Sequence, residues 1–317
     1  MGLFVIGMVA FLMAVIANVR PHIVAGAAQA APVPGPPAVG DCVLDPVPVS
    51  AWVWSSSPLE STNITATTSA ADMSYPRQQM QPCSGPRYGE VVAVIANPHA
   101  PVVAGDAANS YIGDPNMDSC HSSALQYLGL ATPPAHWEPF VQSTSAMSRP
   151  SIRQEAAGQH WVACVVGLRP SAGTPGPAAG RLYASSIRDA FHTGHERNQL
   201  GSCSPAIDWE LPAGFSSCGL RHSLELFAFG STGEHPMTRS ALELSCQLLV
   251  RELTGIPDPT AGGALSIQVH AQILNATDIP TSQIPGNSGL QCGVITTGSR
   301  KLTGSLLALG RQPIPLA

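Results

Sequence analysis

Apolar and polar positions divide the chain into an uncharged N-terminal run and two later stretches whose elements come in the same order. Residues 3–19 carry no charge, and Asn18 is their one strongly polar side chain. A run of this length is at the short end of what spans a bilayer as a helix. The pattern predicts a transmembrane signal anchor over residues 1–30. The alternative is a signal peptide cut after Ala28-Gln29-Ala30, which has the small-x-small form. Residues 31–39 are proline-rich and read as a semi-rigid polyproline spacer.

In the first stretch, residues 40–198, the β-branched run at 90–96 predicts a buried strand. Residues 120–128 predict a short helix stopped by Gly129. A weaker strand follows at 136–143, a strong one at 160–168, a Pro/Gly loop at 170–180 and a return strand at 181–187. The second stretch, residues 199–310, repeats the order. It has a strand at 224–229, a helix at 240–253 with Leu242, Leu244, Leu248 and Leu249, strands at 264–274 and 290–296, and a return at 301–309. The two returns align when Leu182-Tyr183-Ala184-Ser185 is set against Leu302-Thr303-Gly304-Ser305. The tail, 311–317, has no visible period. The expected fold class is α+β: an N-terminal transmembrane helix, then two tandem small modules of similar topology.

The cysteines sharpen this duplication. Cys42, Cys83, Cys120 and Cys164 fall in the first stretch, and Cys203, Cys218, Cys246 and Cys292 in the second. Cys83 and Cys218 are each followed seven residues on by a glutamate, Glu90 or Glu225, and then by an apolar run. No Cys-x-x-Cys pair exists, and zinc sites usually bring ligands in such close pairs. The even count and wide spacing favour disulfides and an oxidising compartment, which puts the body outside the cytoplasm. Four cysteines allow three connectivities in each set. The favoured one joins first with second and third with fourth. The first bond would staple the start of each module to its Glu90 or Glu225 strand. The other would staple the main helix to the strand holding Cys164 or Cys292.

Composition removes one class of function. Of 317 residues only 11% are charged, the net charge is −5, and Lys301 is the single lysine. A nucleic-acid binder needs a basic stripe to displace counterions, and this chain has none.

Gly40-Asp41-Cys42, Cys83, Pro86, Glu90-Val91, Cys120, Trp161 and Cys164 form a cysteine order that recurs as Cys203, Cys218, His222, Glu225, Cys246, Cys292 and Gly304-Ser305-Leu306. This order resembles the septum formation family, envelope proteins of high-GC Gram-positive bacteria. The resemblance covers nearly everything after residue 40. It implies work at the septum or cell envelope and little about chemistry. Arg87 stands where the family has a histidine, Ser202 replaces an aspartate and Leu290 a tryptophan.

Several residues invite a chemical reading. His222 with Glu225 could grip a metal. The blander reading is a contact that orients the start of the strand, since Arg87 with Glu90 would make a similar ion pair and bind no metal. His192 and His195 lie in a connecting segment with no helical period to align them. His121 beside Cys120 suggests an activated thiol, which a disulfide would abolish. Gly286-Asn287-Ser288-Gly289 lacks the full serine-elbow pattern. Trp161, Trp137 and Trp209 could line a groove, although Trp161 sits in a strand apolar enough to be core. No catalytic, cofactor or metal set emerges. The expectation is a non-enzymatic, membrane-anchored extracytoplasmic protein that docks onto an envelope or integral-membrane partner. The alternative is a module that binds a muropeptide or glycan between its halves.

Overall fold

A computed structural model describes residues 31–45, 52–53, 77–98, 115–130, 136–169, 180–209, 216–272 and 282–317. Residues 35–317 form one compact unit and residues 1–34 another. The apolar run at 3–19 and the candidate cleavage site lie outside the described residues.

The strands are β1 (Cys42–Val43), β2 (Trp52–Val53), β3 (Met80–Gln81), β4 (Gly89–Ile95), β5 (Trp137–Pro139), β6 (Ser143–Ser148), β7 (Val162–Leu168), β8 (Ser202–Ser204), β9 (Leu224–Ser231), β10 (Met237–Thr238), β11 (Leu265–Gln272), β12 (Gln283–Ile284) and β13 (Gly289–Thr296). The helices are α1 (Pro115–Leu128), α2 (Ile152–Ala156), α3 (Ala190–Thr193), α4 (Arg197–Leu200) and α5 (Arg239–Thr254). The protein is α+β, as expected, and it contains four disulfides. The expected transmembrane helix is corrected: no helix among the described residues is long and apolar enough to cross a membrane. A crossing needs about 20 apolar residues. The two longest described helices have 14 and 16 residues, and each exposes a polar face, with Asp118 on one and Arg251 and Glu252 on the other.

Two antiparallel sheets repeat one arrangement. The first has the order β2-β6-β7-β4-β1-β3 and the second β11-β13-β9-β5, with β8 also on β9. Thus β6-β7-β4-β1 corresponds to β11-β13-β9-β8. The match extends to an irregularity. Val92 is the extra residue between Val91 and Ala93 where β4 meets β7, and Phe227 is the extra residue between Leu226 and Ala228 where β9 meets β13. Both follow the strand's glutamate by two positions. α1 packs on β4, β6 and β7; α5 packs on β9, β11 and β13.

Local chemistry explains the helix ends. Thr238 caps α5 by accepting from the Ala241 N–H, and Gly255 closes the helix at φ 65°. Gly129 ends α1 with φ 96°. α2 opens with a capping box in which Ser151 and Gln154 satisfy each other's backbone. β7 is buried along its whole length, so its continuous apolar run suits it.

One hydrophobic cluster draws on both stretches, including Leu128, Ile187 and Phe191 from the first and Leu242, Leu249, Leu253 and Leu306 from the second. β5 also crosses over to pair with β9, and the Trp137 indole donates to Ser245 of α5 at 2.7 Å. Two expected returns are not strands. Residues 181–187 make single bridges, Leu168↔Arg181 and Arg87↔Tyr183, and 301–309 bridge at His222↔Leu302. The tail docks back on that return: Leu302 bridges Leu316, and Lys301 and Ala317 exchange backbone bonds at 2.9 Å.

Candidate functional site

Each stretch places a glutamate beneath a disulfide by the same backbone logic. Cys42 pairs with Glu90 across β1 and β4, and Cys203 pairs with Glu225 across β8 and β9. The four bonds are Cys42–Cys83, Cys120–Cys164, Cys203–Cys218 and Cys246–Cys292, with no free cysteine. Two of them join α1 to β7 and α5 to β13. The other two join β1 and β8 to the segments that lead into β4 and β9.

In the first stretch Glu90 is 1% exposed. Its Oε2 accepts from the Tyr127 hydroxyl at 2.7 Å and the Ser186 hydroxyl at 2.8 Å, and its Oε1 from the Ile187 N–H at 3.3 Å. Arg87 Nη1 lies 3.3 Å from Oε1, a buried ion pair. The same Nη1 is 3.2 Å from Cys42 Sγ, while Nη2 donates to the Ala184 carbonyl. Burial, with the Glu90 bond and charge behind it, pushes the Tyr127 hydroxyl up to about 12. Tyr127 therefore stays protonated and donates.

In the second stretch Glu225 is fully buried. Its Oε1 accepts from the Ser305 hydroxyl at 2.5 Å and its Oε2 from the Leu306 N–H at 2.8 Å. Burial raises this carboxyl to about 7; the bonds from Ser305 and Leu306 and the charge of Arg197 oppose the rise. His222 takes the place of Arg87. Its Nδ1 donates to the Leu220 carbonyl at 2.7 Å, because a carbonyl can only accept. Burial lowers the imidazole's pKa, so it is neutral near pH 7. Its Nε2 has no hydrogen-bond partner among the described residues. No hydrogen bond joins His222 to Glu225. Gly201 is forced: a Cβ would sit 2.5 Å from Cys218 Sγ and 2.7 Å from the Ser305 hydroxyl.

The two clamps correspond residue by residue. Arg87 and His222 each sit three positions before the glutamate, and each bridges the return, at Tyr183 or Leu302. Three positions beyond that bridge comes the serine, Ser186 or Ser305, and the next residue gives its N–H. Asp189 and Ala308, three further on, both have positive φ and donate to the carbonyls of Tyr127 and Leu253 at 2.8 and 2.9 Å. The sequence alignment of the returns is therefore corrected by one residue: Tyr183, not Leu182, matches Leu302. Tyr183 is buried and Leu182 is 50% exposed; the slip came from the shared Leu-x-x-Ser wording, with Ser185 and Ser186 adjacent.

Sulfur, imidazole and carboxylate atoms of Cys203, Cys218, His222 and Glu225 all lie within 4.8 Å of one another. As a metal set they do not fit the oxidised protein. The two sulfurs are bonded to each other and are not thiolates, which leaves one imidazole and one carboxylate. The first stretch has a guanidinium in the histidine's place.

The remaining candidates do not converge on a site. His121 Nε2 lies 3.4 Å from a carboxylate oxygen of Glu138, and its neighbour Cys120 is in a disulfide. His192 and His195 flank a helix end at the surface. Ser288 is buried in the turn before β13, donating its N–H to Thr232 Oγ1 at 3.0 Å. Trp161 and Trp137 are 5% and 3% exposed, so neither offers an open platform. Trp209 is half-buried and stacks on His270, with ring centroids 5.5 Å apart. Sequence reasoning missed Tyr127 and Ser186 as partners of Glu90. Ser305 stood in the aligned returns but was set against Ser185, one residue short of its counterpart Ser186. No protein-family model matches the chain, and no curated protein or solved structure matches it.

Proposed function

We propose that this chain is a non-enzymatic extracytoplasmic protein of the cell envelope that docks onto a septum or envelope protein. The observation that carries the reading is the state of the sulfurs: all eight close four bonds and none is free, which suits an oxidising space. The buried glutamates support the same view. Each is occupied in holding a strand to its return, and neither faces an acid–base partner in reach of solvent. The order of cysteines resembling the septum formation family supplies the direction toward the septum.

The docking face is the outer side of α5. Leu244 and Leu248 lie one turn apart and are 58% and 53% exposed. Counted from Cys120 and Cys246, the corresponding positions of α1 are Asp118 and Ser122. An exposed leucine pair on one helix, polar on its counterpart, suits an apolar patch on an envelope protein partner. Photocrosslinking residues placed at 244 and 248 in the native cell envelope test this. A discrete protein adduct is expected from both. The Asp118 and Ser122 positions should give none, and Leu244→Asp should abolish the adduct at 248. Equal labelling from both helices, or no protein adduct with the body folded and oxidised, contradicts the reading.

A further inference from the structure

The two disulfides above the glutamates occupy equivalent places but not equivalent surroundings. Cys203 and Cys218 are 1% and 0% exposed, sealed on both sides. In the first stretch Cys42 is fully buried, whereas Cys83 lies at the surface. The buried sulfur also has a cation beside it, Arg87 Nη1 at 3.2 Å from Cys42 Sγ. The neutral His222 stands at that place in the second stretch.

Thiol–disulfide exchange depends on which sulfur can be reached and on how readily the other leaves as thiolate. An adjacent guanidinium lowers a thiol's pKa and so improves it as a leaving group. Here access and leaving-group stabilisation fall on opposite sulfurs of one bond, which is the arrangement exchange requires. Glu90 is the anion facing the same guanidinium. It is also held by Tyr127, Ser186 and the Ile187 N–H, so it does not depend on Arg87 alone.

We propose that Cys42–Cys83 is an exchange-active disulfide that takes a small monothiol at Cys83. The attacking thiolate forms a bond to Cys83 Sγ. The Cys83–Cys42 bond breaks, and its electron pair leaves on Cys42 Sγ as a thiolate beside Arg87. One disulfide is consumed and one is formed, so no further oxidant or reductant is needed. The reverse attack by Cys42 expels the monothiol and restores the bond. Cys203–Cys218, Cys120–Cys164 and Cys246–Cys292 have both sulfurs buried and stay closed.

The test uses the full oxidised chain incubated with graded glutathione, quenched in acid, alkylated and peptide-mapped. Glutathione on Cys83 and a free Cys42 should appear first, on the order of tenfold faster than opening of any other bond, given the dependence of exchange on access and leaving group. The pH midpoint for alkylation of the released Cys42 should rise in Arg87→Gln and stay near wild type in Arg87→Lys. The wild-type order of opening stands as a test even if Arg87→Gln folds poorly. Four bonds that open together, an adduct on Cys42 instead of Cys83, or a Cys42 midpoint that is the same in Arg87→Gln would each overturn the proposal.

Discussion

The clamp around Glu90 and the clamp around Glu225 use one backbone plan with different electrostatics. Both hold a buried carboxylate by a serine hydroxyl and the next residue's N–H. Only the first adds a cation, Arg87, and a phenol, Tyr127. Leu253 holds the tyrosine's place in the second, and neutral His222 holds the arginine's. What the two share therefore has a structural task, pinning the strand to its return. What differs is the set of charged and polar groups around the carboxylate. Glu90 has a guanidinium and three other donors around it, whereas burial pushes the Glu225 carboxyl, with two donors, up to about 7.

The largest expected effect breaks this comparison directly. Glu90→Gln leaves Arg87 as a buried cation without its anion and should cost about 3–5 kcal/mol in denaturant unfolding. Glu225→Gln strands no charge, and at pH 8 it should be neutral or stabilising. Equal losses from the two substitutions would show that the electrostatic difference is illusory.

The helix staples should behave alike, because Cys120–Cys164 and Cys246–Cys292 close loops of similar size, with separations of 44 and 46. Replacing either pair by alanines should cost about 4 kcal/mol. A much smaller cost for one pair, measured by the same unfolding midpoint, would mean that the repeat is not energetically equivalent.

The pH dependence is next. Glu225 titrates at about 7 when folded, against an ordinary 4.5. The folded protein holds a proton that the unfolded chain has released, so this contribution is complete below 4.5 and is lost as pH rises through 7. The span is worth about 3 kcal/mol. His222 acts in the opposite direction, since its depressed pKa weakens the fold as pH falls below its ordinary range. The difference between wild type and Glu225→Gln, followed from pH 4.5 to 8, isolates the glutamate. A flat difference curve would contradict the assignment. The smallest effect is Tyr127→Phe, which removes one bond to Glu90 and should cost about 1–2 kcal/mol.

Much of this was legible in the chain. β-branched runs marked β4, β7 and β13, and leucine spacing marked α5. The paired spacing from Cys to Glu marked both clamps, and the favoured first-to-second, third-to-fourth connectivity is the one the structure has. β6 was not legible. Its Ser-Thr-Ser-Ala-Met-Ser run carries no strong apolar signal, yet it is largely buried because its backbone pairs with β2 and β7, and Ser148 also accepts from the Gln78 N–H at 3.2 Å. The hydroxyl partners of the glutamates were hidden by distance: Ser186 is 96 residues from Glu90, and Ser305 is 80 from Glu225. Returns read as strands proved to be single bridges, since their work is to present a hydroxyl and an N–H and not to extend a sheet.

The most direct measurement is a non-reducing peptide map of the full chain isolated from its native cells with thiols blocked at lysis. Four cross-linked peptides are predicted, joining residues 42 with 83, 120 with 164, 203 with 218 and 246 with 292, the pairs of two equivalent halves. Crossed pairs between the halves, or stoichiometric unmodified thiol at Cys203 and Cys218, would contradict the doubled, sulfur-closed body on which the envelope reading rests.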